Sequence, residues 1–101
     1  MMFGLSKETI SALHSVFRKY PEIESVIIYG SRAKGNYREG SDIDLTLIGN
    51  QLTTDHVLRI SADIDDLNLP YLFDLSVYHQ LDSVSLKQHI ERVGKTFFPL
   101  D

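Results

Sequence analysis

No cysteine occurs anywhere in the chain. That absence excludes disulfides, thiolate catalysis and cysteine-ligated zinc, and it suits a reducing compartment such as the cytoplasm. Long hydrophobic runs are missing as well. The longest apolar stretch is Val26-Ile27-Ile28-Tyr29, far short of the roughly 20 residues a membrane-spanning helix needs. The first residues, MMFGLSKET, lack the basic and apolar regions of a signal peptide. There is no general basic excess either: the formal net charge is −4, which argues against a broad nucleic-acid surface and against direct nucleic-acid binding. Repeats, linkers and low-complexity segments are absent too. What remains is a 101-residue chain with 43% apolar and 24% charged residues, the proportions of one globular domain spanning residues 1–101.

The apolar pattern alternates between helix and strand periods. Ile10, Leu13, Phe17 and Tyr20 recur at three- and four-residue spacing between Ser6 and Tyr20, with Ser6 as N-cap, so this segment reads as an amphipathic helix ending near Pro21. Ser25 to Tyr29 is short and β-branched, the signature of a strand buried on both faces. Gly30-Ser31 then turns the chain, Ser31 to Gly35 suits a single helical turn, and Asn36 to Ser41 is loop. From Asp42 to Ile48 the residues alternate. Ile43, Leu45 and Leu47 form one face, and Asp42, Asp44 and Thr46 the other.

A second helix begins at Thr53 or Thr54 and buries Val57, Ile60, Ile64 and Leu67. A third strand runs from Tyr71 to Tyr78, with Phe73, Leu75 and Val77 on one face and Leu72, Asp74 and Ser76 on the other. A last helix from Ser83 to Val93 turns Leu86, Ile90 and Val93 inward and ends with Gly94 at the C′ position. Phe97-Phe98 either adds an edge strand or covers the core. The fold class is α/β, of the α+β type: a small mixed sheet with helices mainly on one face.

Residues 30–45, GSRAKGNYREGSDIDL, hold most of the chemistry. Aspartates at i and i+2 of a strand point to one side with Cα atoms roughly 6.6 Å apart, so both can reach one small cation. A Gly-Ser turn offers backbone N–H groups and a hydroxyl to phosphate. Arg32, Lys34 and Arg38 crowd the same stretch, a local basic loop suited to a small polyanion, or simply a solvated one. Paired aspartates occur by chance, but Asp74 lies in the middle of an otherwise apolar strand, FDLSV. There it faces solvent as an edge-strand charge, is paired, or binds a cation. If the third strand lies beside the second, Asp74 joins the pair, and three hard oxygen ligands suit Mg²⁺ or Mn²⁺. His14, His56, His79 and His89 show no ligand spacing and read as surface or helix-face residues. Tyr29 reads as core, and Tyr37 as a base-stacking aromatic or an ordinary exposed loop tyrosine.

Gly30-Ser31, ten intervening residues, Asp42-Ile43-Asp44, and a later lone strand aspartate resemble the DNA polymerase β-like nucleotidyltransferase superfamily, most closely its minimal nucleotidyltransferases (MNT) from prokaryotes. The resemblance covers essentially the whole chain. It implies that Asp42 and Asp44 hold two metal ions and that Asp74 completes the site as ligand, and as base for the incoming hydroxyl. It implies that Gly30 and Ser31 hold the β- and γ-phosphates of ATP, with Arg32 and Lys34 as further nucleotide-binding candidates. It implies a small all-α HEPN protein as partner, a toxin whose tyrosine receives AMP while the MNT protein serves as antitoxin. Two alternatives stand beside that reading: a non-catalytic module that neutralises a HEPN partner by forming a complex, and nucleotidyl transfer to a small molecule. A homo-oligomer is compatible with the short edge elements.

Overall fold

The computed structural model describes residues 2–100. Its element order is α1 (Lys7–Arg18), β1 (Ser25–Tyr29), α2 (Ser31–Lys34), β2 (Ile43–Ile48), α3 (Thr54–Asp65), β3 (Phe73–Val77), a 3₁₀ turn (Tyr78–Gln80), α4 (Val84–Val93) and β4 (Lys95–Phe98). Each long helix starts where a hydroxyl can accept a free backbone N–H. Ser6 caps α1 through the Thr9 amide, Thr53 caps α3 through the His56 amide, and Ser83 caps α4 through the Leu86 amide.

The four strands form one mixed sheet in the order β3-β2-β1-β4. β2 pairs antiparallel with β1 and parallel with β3, while β1 also pairs antiparallel with β4. The parallel pair exists because α3 carries the chain back between β2 and β3. The Phe97-Phe98 segment is therefore an edge strand, and it covers the core as well. A register shift opposite Val26 and Ile27 leaves Phe97 without a direct cross-strand partner. A bulge of this kind lets two consecutive side chains lean to one side, and Phe97 is fully buried with Phe98 packed against the same core.

That core lies on one face of the sheet. Val26 and Ile28 of β1 and Ile43, Leu45 and Leu47 of β2 meet Leu13, Val16 and Phe17 of α1 and Ile60 and Ile64 of α3. α4 lies on the other face. Its His89 ring meets the Tyr29 ring edge-on at 6.1 Å, and Tyr29 pairs with Asp44, on the side of β2 away from the core. Two of the three long helices thus share a face and the third covers part of the other.

Two local expectations change. Gly94 does not take the left-handed conformation of a C′ glycine: its φ of −64° and ψ of 145° are extended, because the chain runs directly from α4 into β4. A side chain is excluded there on space, since a Cβ would lie 2.7 Å from Ile27 Cγ2. His14 is not a surface residue. It is buried between Phe97 and Phe98, with Nε2 donating to the Phe97 carbonyl at 2.7 Å. Burial holds its pKa below the usual value, against that hydrogen bond, so the neutral ring is the working form. Among the described residues no helix is long and apolar enough to cross a membrane.

Candidate active site

The parallel register of β2 and β3 sets Asp44 directly opposite Asp74. Adjacent strands lie about 4.8 Å apart, so two carboxylates in register on one side of a sheet are close neighbours. Asp42 lies two residues before Asp44, just ahead of β2, and is exposed, as is Asp74. The Asp44 carboxyl is pushed up from the ordinary value of 3.8, first by burial and then by the charges of Asp74 and Asp42, with His89 pulling the other way. The three acids therefore share one electrostatic environment, as the strand alternation predicts.

Among the described residues no three Asp, Glu or His groups stand close enough to make a ready-formed metal cluster. Like charges at this range repel, and the exposed Asp42 and Asp74 side chains have room to turn. The donor set itself, three hard carboxylate oxygens with one acid already resisting ionisation, fits a divalent cation such as Mg²⁺.

Gly30 brings the Gly-Ser turn against this set. Its φ of 75° and ψ of −154° suit glycine, and a Cβ there would overlap the Asp44 carboxylate. The turn and the acidic strand can approach this closely only without a side chain. Gly30 also caps α2, whose first residue is the half-buried Ser31. Gly30, Ser31 and Asp44 are therefore one assembly, while Lys34 stands exposed in the last turn of α2.

Arg32 departs from the open basic loop expected from sequence. It is 3% exposed. Nε and Nη2 donate to the Ser41 carbonyl at 3.1 and 2.8 Å, and Nη1 donates to the Phe3 carbonyl at 2.9 Å. Tyr37 and Tyr71 lie against the guanidinium, with ring centroids 5.2 and 5.0 Å from Cζ. A buried guanidinium must satisfy its donors, and this one does so with backbone carbonyls. Tyr37 thus packs on Arg32 from the loop while staying 38% exposed.

Two residues next to the acids, Tyr29 and His89, were not among the site candidates read from sequence. Tyr29 is buried as expected, yet it lies on the carboxylate side of the sheet. Burial first, then the charge of Asp74, and finally that of Asp44 push its hydroxyl above 10.0, with Ser76 opposing. His89 packs on Tyr29 from α4. The one sequence clue was parity: Tyr29 is an odd position in a strand whose even positions, Val26 and Ile28, face the core.

Comparison with known proteins follows the same lines. The model of the family described as polymerase beta, nucleotidyltransferase, matches residues 11–101. A Methanocaldococcus jannaschii protein, provisionally named a protein adenylyltransferase, is 43% identical over 58 residues, which is 57% of this chain and 55% of that protein. The match thus spans little more than half of that relative's length. A crystal structure of a toxin–antitoxin pair with AMP-PNP superposes with a TM-score of 0.72 at 18% identity, covering 91% of this chain and 74% of that one. A Shewanella oneidensis complex of a tri-AMPylated HEPN toxin with its MNT antitoxin gives 0.68 at 16% identity, covering 95% and 74%. At such identities these structures establish the shared fold.

Proposed function

The chain belongs to the polymerase beta nucleotidyltransferase family, and we propose that it transfers AMP from ATP to a hydroxyl, with a tyrosine of a small helical HEPN-type toxin as acceptor and this chain as the antitoxin. The observation that carries the reading is the register of Asp44 against Asp74 beside a Gly30 that only a glycine could occupy.

Asp42, Asp44 and Asp74 would hold divalent metal, Mg²⁺ or Mn²⁺. Two such ions, when bound, lower the pKa of an attacking hydroxyl and neutralise triphosphate charge. The protein's own groups do the rest. The Gly30 N–H and Ser31 hydroxyl bind the β- and γ-phosphates, and Lys34 adds positive charge nearby. The acceptor oxygen bonds to the α-phosphorus while the bond from that phosphorus to the β-phosphate oxygen breaks, and pyrophosphate departs. Asp74 takes the acceptor proton. It is suited to this because it is exposed on an edge strand, where a hydroxyl carried on another protein can approach. An open, strand-edge acid suits a macromolecular acceptor better than an enclosed small molecule, and the fold shared with the HEPN toxin complexes supports the choice of partner.

Incubating the HEPN partner with this protein, ATP and Mg²⁺ should add AMP, seen in the intact mass of the partner. Asp42→Asn or Asp44→Asn should abolish the adduct. An unmodified partner with the wild-type protein would refute catalysis. The second reading, neutralisation by complex formation alone, draws on the lack of a ready-formed metal cluster among the described residues; it predicts that the Asp42→Asn/Asp44→Asn double variant still binds and inhibits the partner.

A further inference from the structure

Among the described residues Arg32 is the one buried charge that the mechanism above leaves unused. Among the described residues no carboxylate forms a salt bridge with it. A buried cation without a counter-ion is costly, and it is retained where its hydrogen bonds hold something in place. What they hold is the framework of the site. Two of its donors grip the Ser41 carbonyl, one residue before Asp42. Its flat face meets Tyr71, three residues before Asp74. A third donor ties down Phe3, and Arg32 itself follows Ser31 in α2. One side chain thus links the Gly-Ser turn to the segments leading into both acidic strands.

We propose that Arg32 is a positioning residue that fixes the three aspartates for metal, acting through Ser41 and Tyr71 and not through contact with nucleotide; this rests on the metal-dependent reading above. The planar fork is needed, because two of its nitrogens converge on a single carbonyl while its central carbon lies over the Tyr71 ring, and a lysine can do only part of this. A residue that merely stabilises the fold would lower the melting temperature and leave metal affinity alone. A phosphate ligand would raise KM for ATP and leave metal affinity alone. Positioning weakens metal binding and kcat in the folded protein while KM for ATP stays near wild type.

The test uses the full chain, with Arg32→Lys and Tyr71→Leu variants. Mn²⁺ is titrated without nucleotide and followed by the EPR signal of the free ion, alongside thermal melting and steady-state AMP transfer. Arg32→Lys should bind Mn²⁺ about tenfold more weakly and lose kcat by a similar factor, with KM for ATP within about twofold of wild type. Tyr71→Leu removes one stacking face, and its loss should run the same way at about threefold. Should Arg32→Lys fail to fold, Tyr71→Leu decides by the same comparison. Equal Mn²⁺ binding in wild type and variants, whether all bind or none does, overturns the proposal, as does a rise confined to KM for ATP. A wild-type protein without transfer activity counts against the catalytic function alone, and the Mn²⁺ comparison still supports or overturns the role of Arg32.

Discussion

The two faces of the sheet are built on opposite terms. One carries Val26, Ile28, Ile43, Leu45 and Leu47 under α1 and α3, all of them sealed from solvent. The other carries Tyr29, Asp44, Thr46, Asp74 and Ser76, with α4 covering only part of it. On the first face each residue gains by leaving water. On the second, polar groups are held at a cost and made tolerable by pairing: Thr46 is fully buried, yet it accepts a hydrogen bond from Ser76 at 3.0 Å. Among the described residues no buried side-chain nitrogen or oxygen lacks a partner. Stability and chemistry are therefore divided between the two sides of the same strands, which differ only in the parity of the residue.

If that division holds, damage to one face should spare the other. The largest effect belongs to the core. Phe17→Ala removes a fully buried ring from the α1 contact and should cost about 3–5 kcal/mol in urea unfolding, a large share of a small domain's stability. Next comes the carboxylate side. Asp74→Asn should reduce AMP transfer by at least about 10²-fold while leaving the urea midpoint unchanged; a matching fall in stability would blur the two faces into one.

A smaller effect tests the join between α1 and α3, which lies wholly on the core face. Tyr20 donates a hydrogen bond to Asp63 at 2.5 Å, so Tyr20→Phe should cost about 1–2 kcal/mol. That bond, with burial and the Asp63 charge, raises the phenol from 10.0 to about 12, against Arg59. The unfolded chain then loses its Tyr20 proton before the folded one does. Stability should fall as pH rises from 10.0 towards 12, and Tyr20→Phe should lack that part of the fall.

The smallest effect has the opposite sign. Because Asp44 has a raised pKa, ionising it opposes folding at neutral pH. Asp44→Asn should therefore stabilise the metal-free protein, by less than about 1 kcal/mol since solvent screens the part-exposed group. The gain should vanish as pH falls below 3.8, where Asp44 is protonated in both states.

Most of the fold was legible because the elements are locally consistent. Ser6, Thr53 and Ser83 cap where the hydroxyls and the following apolar periods say they should, and the alternation from Asp42 to Ile48 separates Ile43, Leu45 and Leu47 from the acids as read. His14 lies on a helix face, but its burial was not legible, because a lone histidine on a helix carries no mark of the two phenylalanines that bury it, 83 residues away for Phe97. The burial of Arg32 was hidden for a related reason. Beside Gly30-Ser31, a basic residue looks like a phosphate ligand, and nothing local reveals that the Phe3 and Ser41 carbonyls take up its donors. Tyr29 and His89 were not read as neighbours of the acids because α4 reaches them only through the sheet order.

By itself the sequence settled which residues could do chemistry and on which side of their own strand each lies, because helix caps, the glycine turn and a period of two act over a few residues. Only the tertiary structure decided that β3 runs parallel beside β2 with Asp74 in register with Asp44, that Gly30 presses on that carboxylate, and that Arg32 faces inward. Those outcomes depend on strand pairing and packing between segments distant in the chain, where burial and charge compensation choose among arrangements that local propensity leaves equal.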